Sequence, residues 1–219
     1  MSPRGGASAR STVRRNATRA VYERETLDAI LDSQLVCTVA YVEDGEPRQI
    51  ATLYIREGDY LYLHGNRQAA LLNHMADGGE ICVSVMCLDG VVVARSGFHC
   101  SMNYRSATVF GRGEEVTGAA HERMLDQFVE RLIPGHSAAV RVPTAQELAA
   151  TSVVRVRLDE MSAKVRTGDP IDAEGDIDGD TWAGQIPLSV AVGEPIPSAD
   201  LREGVVLPDY VKTYRYGGP

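Results

Sequence analysis

Short β-rich segments separated by tight turns dominate the first half of this sequence and constrain its fold most. Residues 35–42 and 49–55 flank an Asp44-Gly45 pair, and residues 60–63 follow a second glycine-containing turn. An Asp-Gly pair between two such segments is typical of a β-hairpin with a two-residue turn. The pattern therefore predicts three consecutive antiparallel strands.

Segments with helical spacing surround these strands. Residues 22–33, 67–76 and 122–133 each place apolar side chains three or four positions apart, as helices do when one face packs on a core. Thr144 and Glu147 fit a capping box, which predicts a further short helix. More β-rich segments lie at 81–88, 91–94, 107–110 and 153–158. About six strands with short helices at their edges predict a mainly β fold of the α+β class, a small barrel.

The composition excludes several classes of protein. The 219 residues include 30 acidic and 22 basic ones, which gives a net charge of −8. Such a balance repels a phosphate backbone and disfavours a nucleic-acid partner. No apolar run approaches the ~20 residues of a membrane span, and the four cysteines lack a Cys-x-x-Cys pair, which indicates reduced thiols. We expect a cytoplasmic protein that binds neither nucleic acid nor membrane.

The two ends of the chain differ in composition from its middle. Residues 1–20 contain five arginines and no acid, and we expect a disordered basic tail there. Residues 21–166 hold the predicted strands and helices of the barrel domain. Residues 167–219 are rich in proline, glycine and aspartate, which predicts an irregular extension packed on the barrel or on a dimer partner. Its acidic run at 174–180 only partly matches a calcium loop and is interpreted as solvated.

Two polar clusters interrupt the β-rich pattern and are candidate sites. His64 ends a predicted strand, and Gly65 and Arg67 follow it just before a helix. Such a junction suits an anion, although a hydrogen-bonded turn explains it about as well. Residues 95–106 form the second cluster, which includes an amide, a phenol, a guanidinium and a hydroxyl in four consecutive positions. This cluster is either a binding site or a loop network that satisfies backbone groups.

Five motifs follow one another in a specific order. They are ATLY at 51–54, LYLHG at 61–65, FHCSMNYRS at 98–106, SAKVRTG at 162–168 and WAG at 182–184. In this order they resemble the FMN-binding split-barrel proteins related to pyridoxamine phosphate oxidase, particularly the nitroimidazole-reductase-like branch. The resemblance implies a six-stranded FMN-binding split β-barrel and a homodimer with a flavin at each subunit interface. It also implies oxidoreductase chemistry on a small, often nitrogen-containing substrate.

The same resemblance implies which side chains contact the flavin. Thr52 and Leu53 would line the edge of the ring, and Trp182 would close the site by stacking or would pack in the dimer interface. The full set of implied cofactor-binding residues is Thr52, Leu53, His64, Gly65, Arg67, Arg105, Ser106 and Trp182. The candidate proton donors, for which a structural role is equally compatible, are His64, His99 and Tyr104.

The chain departs from the family pattern where the flavin phosphate is usually held. Related sequences commonly carry a Ser and then an Arg or Lys four and five residues after the His-Gly pair, and here Ala69 and Ala70 occupy these positions. Arg67 is the candidate replacement. The departure leaves open a haem, a deazaflavin, or a non-catalytic module for a small ligand. The candidate haem ligands near the presumed site are His64, His99 and Cys100.

Overall fold

The computed structural model describes residues 8–217, which form one connected antiparallel sheet with helices around it. The strands of this part of the chain are β1 (Ala20–Val21), β2 (Val36–Glu43), β3 (Glu46–Glu57), β4 (Tyr60–Asn66), β5 (Glu80–Val93), β6 (Ser101–Val116), β7 (Thr151–Arg157), β8 (Glu160–Arg166) and β9 (Gly184–Pro187). Its α-helices are α1 (Arg24–Asp32), α2 (Ala70–Ala76), α3 (Ala119–Leu132), α4 (Ala145–Ala150) and α5 (Asp209–Lys212). None of the helices within residues 8–217 is long and apolar enough to cross a membrane.

Six of these strands close into a ring. β2 pairs with β3 and β5, β4 pairs with β3 and β7, and β6 pairs with β5 and β7. Each strand of the ring therefore has two neighbours, which leaves the ring without a free edge. β8 pairs with β6, β1 pairs with β8, and β9 pairs with β5. The predicted mainly β fold with short helices is confirmed.

The hairpin between β2 and β3 follows directly from its Asp-Gly pair. Asp44 and Gly45 have φ angles of 53° and 79°, and Glu43 faces Glu46 across the turn. Positive φ at both central residues gives a turn whose twist matches that of the flanking strands, and Asp and Gly are residues that accept it. The predicted hairpin is confirmed.

Most of the core lies inside the ring. Successive strand residues point to opposite faces, so alternate apolar residues of the ring strands fill its interior, while α1 and α2 cover it with their apolar faces. The largest of these fully buried side chains include Tyr54, Leu27, Ile30, Leu31, Leu61, Leu63, Met75, Val39 and Val83.

A second, smaller core holds α3 against the outside of the ring. Met124 and Phe128 of α3 pack on side chains of β3, β4 and β7. The members of this cluster are Ile55, Tyr62, Val116, Met124, Phe128 and Val153. Because the cluster fixes α3 beside β4, it determines the walls of the cavity described below.

Two strands extend further than the sequence pattern indicates. β5 is continuous and joins the two predicted segments at 81–88 and 91–94. β6 begins at Ser101, so residues 101–106 lie in a strand and not in a loop. Their backbone groups are paired with β5 and, from Tyr104 onward, with β8, so no network of side chains is needed to satisfy them. The sequence pattern did not predict this strand because most of residues 101–106 are polar and half-exposed, so apolar side chains do not alternate there.

The described part of the basic N-terminal segment contacts the barrel, in contrast to the expected disordered tail. Arg10 forms an ion pair with Glu160 of β8 at 2.6 Å, Ser11 is buried, and β1 extends the sheet beyond β8. Polar partners on β8 hold a segment that has no apolar periodicity of its own. Residues 1–7 lie outside the described residues. After β8, the chain reaches residue 217 with few regular elements.

Candidate functional site

His64 lines a cavity of about 490 Å³ between β4 and α3, which we call the His64 cavity. Its volume is in the usual range of small-molecule and cofactor sites. Most of its wall is apolar. The other lining residues are Leu53, Leu125, Phe128, Val129, Leu132, Val140, Arg141, Pro143, Glu147 and Thr151.

The imidazole of His64 is held in this cavity by packing. Its ring centroid lies 4.1 Å from that of Phe128, with an interplanar angle of 41°. Its Nδ1 is buried and has no hydrogen-bond partner among the described residues. Burial lowers the pKa of His64 because it disfavours the charged imidazolium. The result is a neutral imidazole whose Nε2 is the nitrogen accessible to a ligand in the cavity.

Charged groups in the wall of the His64 cavity are already paired with each other. Arg141 donates from Nη1 and Nη2 to the two oxygens of Glu147, at 2.7 and 2.5 Å. Glu147 also forms a capping box with Thr144 at the start of α4, so the predicted capping box is confirmed. The Arg141 guanidinium and the Thr144 donors lower the pKa of Glu147 to about 2. The charge of Arg141 is therefore already balanced by Glu147, although its side chain is exposed.

Arg105 lines a second cavity, of about 640 Å³, which we call the Arg105 cavity. Its Nε and Nη2 donate to the carboxylate of Asp89 at 2.9 and 2.8 Å, and this bond is the main reason that the pKa of Arg105 is raised. The other lining residues are Gln34, Met86, Cys87, Leu88, Asp89, Leu188, Ser189, Val190, Val192, Arg215 and Tyr216.

A bulge in β5 brings Asp89 into this position. The register of β5 against β6 shifts between Leu88 and Gly90, and such a bulge redirects the side chain at the irregular position. A Cβ on Gly90 would lie 2.9 Å from the carbonyl oxygen of Ile186 in β9, so the close approach of β9 requires glycine there. Leu188 then donates its amide to the Asp89 carbonyl at 3.0 Å, which begins the C-terminal wall of the cavity.

The other predicted residues of the β3–α2 region lie outside both cavities. Thr52 is half-buried on β3, and a Cβ on Gly65 would meet the side chain of Leu72 at 3.2 Å. Arg67 donates to the Glu115 carboxylate at 3.0 Å and to the Ala149 carbonyl at 3.2 Å. Its guanidinium thus already has an anionic partner.

The remaining predicted residues do not line either cavity. Tyr104 and Ser106 are half-buried on β6. His99 contacts the ring of the exposed Phe98. The thiol of Cys100 donates to the Ser96 carbonyl at 3.6 Å.

Trp182 is 64% exposed, so its stacking on a cofactor and its packing against a partner both stay predictions.

Two of the motifs in the sequence meet in a buried polar network. Asn103 donates its amide to the Gly168 carbonyl at 3.2 Å and to Gln185 Oε1 at 2.6 Å. Arg166 donates to Asn103 Oδ1 and to the carbonyls of Gly168 and Asp169. The network ties β6 to the end of β8 and to β9, and so fixes the strand that carries Arg105.

A family model described as pyridoxamine 5'-phosphate oxidase matches residues 23–165, which is more than half of the chain. The chain belongs to this family. Its ring of six strands is thus the split barrel of pyridoxamine 5'-phosphate oxidase-like proteins, and the family resemblance is confirmed. A search of curated proteins found no match.

Solved structures extend the comparison to nearly the whole chain. The flavocytochrome Anf3 from Azotobacter vinelandii has 36% identity and a TM-score of 0.91, covering 97% of this chain and 99% of its own. An FAD and haem binding protein from Mycobacterium smegmatis has 41% identity and a TM-score of 0.85, covering 89% and 96%. A Bacteroides thetaiotaomicron protein described as a putative 5-nitroimidazole antibiotic resistance protein has 19% identity and a TM-score of 0.52, covering 67% and 86%. This third structure is evidence for the fold alone.

The structure brings together only part of the predicted site and adds residues that the motifs did not include. His64 and Leu53 line the same cavity, whereas Arg105 lines the other. Four of the nine additions in the His64 cavity come from α3, and the helix pattern contained a signal for these four. The apolar face of this helix includes Leu125, Val129 and Leu132 beside the buried Met124 and Phe128. This face is therefore wider than the contact of Met124 and Phe128 with the sheet requires.

Proposed function

We propose that this protein binds a haem in the His64 cavity and a flavin in the Arg105 cavity, and that it is an oxidoreductase. The motivation is the presence of two chemically different cavities in a member of the pyridoxamine 5'-phosphate oxidase family. The flavocytochrome and the FAD and haem binding protein, at 36% and 41% identity, support both cofactors. A flavin exchanges one or two electrons and a haem iron exchanges one, so together they link two-electron and one-electron redox partners.

The observation that carries the haem assignment is the state of His64. Its imidazole is neutral, packs against the ring of Phe128, and lines an apolar cavity. A neutral imidazole nitrogen is the usual protein ligand of haem iron, and an apolar wall suits the macrocycle. The residues of this cavity therefore fit a haem.

The Arg105 cavity has the features that a flavin ring requires. Met86, Leu88, Val190 and Val192 give it apolar walls. Arg105 offers a positive charge where a reduced flavin accumulates negative charge, and Asp89 holds that guanidinium in one orientation.

We assign the flavin as FAD, although the sequence motifs imply FMN. The usual phosphate anchor is replaced by Ala69 and Ala70, and Ala69 caps α2 without a side-chain hydrogen bond. The terminal phosphate of FMN thus lacks its expected partner at this point. The FAD and haem binding protein at 41% identity favours the dinucleotide. Chromatography of the flavin released by acid distinguishes FAD from FMN and from a deazaflavin.

We further propose that the protein is a homodimer in which the partner covers the Arg105 cavity. Apolar side chains on β5 and β6, which line this cavity, and on the neighbouring β2 are exposed, which is typical of an interface. These exposed residues include Val36, Met86, Leu88, Val91 and Met102. Light scattering is expected to give a dimer, and the double substitution Val36→Glu with Met102→Glu is expected to give monomers. A wild-type monomer that carries both cofactors would contradict this proposal.

The haem assignment is tested by titrating apoprotein with haemin. We expect a Soret band with saturable, one-to-one binding for the wild type and loss of that binding in His64→Ala. His99→Ala and Cys100→Ala, which remove the two other candidate ligands, are the matched controls and should bind as the wild type does. Normal binding by His64→Ala, or loss of binding in either control, would overturn the assignment of His64.

A further inference from the structure

His64 lacks a feature that metal-binding histidines almost always have. A ligating imidazole usually donates its second N–H to a carboxylate, a carbonyl or water, which fixes the ring and raises its basicity. In His64 the inaccessible nitrogen is Nδ1, and no such acceptor bonds to it among residues 8–217. If Nε2 binds a ligand in the cavity, Nδ1–H stays without a partner.

The polar groups that line the cavity are engaged elsewhere. The carbonyl of Thr151 is 2.9 Å from Nε2 of His121. The carboxylate of Glu147 is bound by Arg141 and by the backbone amide of Thr144. Neither group forms a hydrogen bond to His64, so the orientation of its ring must come from packing.

Phe128 supplies that packing. It is only 3% exposed, and its ring contacts the imidazole at a centroid distance of 4.1 Å. Phe128 also belongs to the cluster that includes Met124 and Val153, and Val153 is the strand partner of His64. The phenyl ring is thereby fixed to the sheet that carries His64.

We propose that Phe128 is the positioning residue for His64, and that His64 binds haem iron as a neutral imidazole without a hydrogen bond at Nδ1. This inference rests on the haem binding proposed above. A neutral imidazole without an acceptor donates less electron density to iron than one bonded to a carboxylate. The iron–histidine bond is therefore weak, and the haem potential is higher than that of a haem whose histidine has a carboxylate partner.

The wild-type protein provides the first test. Resonance Raman spectra of the ferrous holoprotein are expected to place the iron–histidine stretch at the low-frequency end, which is typical of a neutral imidazole. A stretch in the high-frequency, imidazolate-like range would overturn the inference while leaving haem binding intact. Absence of haem from the protein would instead refute the proposed function, so the two failures are distinguishable.

Substitutions of Phe128 provide the second test. Phe128→Leu keeps an apolar wall but removes the ring contact, and should weaken haem binding about two- to tenfold, the range for one aromatic pair. It should also broaden the iron–histidine stretch, because the imidazole samples more orientations. Phe128→Tyr keeps the ring and should restore a narrow band, and Gln127→Ala, which changes an exposed neighbour on α3 that does not line the cavity, should leave the band unchanged. Equal broadening in Gln127→Ala, or none in Phe128→Leu, would contradict the positioning role.

Discussion

The two cavities of this chain hold their polar groups in opposite ways. In the His64 cavity a neutral ring is fixed by aromatic packing and makes no hydrogen bond within residues 8–217. In the Arg105 cavity a cation is fixed by a two-point bond to Asp89. The first arrangement leaves a nitrogen lone pair available to a metal, whereas the second presents an oriented positive charge. The difference is consistent with the proposal that the two cavities hold cofactors of different chemistry.

The cavities also depend on different parts of the chain. All residues that line the His64 cavity lie between 53 and 151, inside the segment 23–165 that the family model matches. The Arg105 cavity needs residues 188–192 and 215–216, which lie beyond that segment. The comparison teaches that the matched segment supplies every lining residue of one cavity, while the second also needs residues of the C-terminal extension.

Truncation after residue 187 is expected to have the largest effect. It removes one wall of the Arg105 cavity and should abolish flavin binding, while haem binding at His64 persists. Flavin and haem contents of the truncated protein, measured by absorption after purification, check this result. Equal loss of both cofactors with an intact fold would show that the two cavities are not independent.

Placing a charge in the His64 cavity is expected to weaken haem binding and to leave flavin binding unchanged. Val129→Asp puts an unpaired carboxylate in an apolar wall, and the cost of desolvating it should weaken haem binding at least about 100-fold. Flavin content should not change. The matched control is Gln127→Asp, which adds the same charge on the exposed side of α3 and should leave both cofactors bound.

Arg67→Ala is expected to have a small effect. Because its guanidinium already bonds to Glu115 and to the Ala149 carbonyl, its removal should change flavin affinity less than about threefold, well below the loss typical of a charge-assisted bond. Fluorescence titration of apoprotein with FAD and FMN measures this effect. A loss of one to two decades would instead support Arg67 as the phosphate anchor.

The smallest expected effect is on the pH dependence of apoprotein stability. In the folded state, burial holds the pKa of His64 below its ordinary value of 6.5. The unfolded chain therefore binds the proton first as the pH falls. Stability is therefore lost as the pH drops below about 6.5. The apoprotein of His64→Phe should lose less melting temperature than the wild type between pH 7.5 and 5.5, whereas His99→Phe should behave as the wild type. Parallel curves for all three proteins would argue against a buried, neutral His64.

The sequence predicts the parts of this fold that depend on local chemistry. The Asp44-Gly45 hairpin, the Thr144 capping box and the apolar face of α3 each follow from a few neighbouring residues, and all three are found in the structure. The motifs also indicated Leu53 and His64 as flavin contacts. The two residues do line one cavity, but it is the cavity proposed above for haem, so their predicted role in flavin binding stays untested.

The remaining features depend on pairings between distant segments. Asp89 faces Arg105 because of a bulge in β5, and the wall opposite comes from residues after 187. No local pattern carries such information. A second reason applies to β8, β9 and the strand at 101–106, which escaped prediction because their sequences show no regular alternation of apolar and polar side chains.

The central claim, that the chain has two independent cofactor sites, is tested most directly by measuring haem and flavin content together in His64→Ala and Arg105→Gln. Both variants are prepared beside the wild type, with haem quantified by its pyridine complex and flavin by release in acid. The account predicts a crossed pattern, in which His64→Ala loses haem and keeps flavin, while Arg105→Gln keeps haem and loses flavin. Loss of both cofactors in each variant, with the fold intact, would contradict two independent sites, as would retention of both.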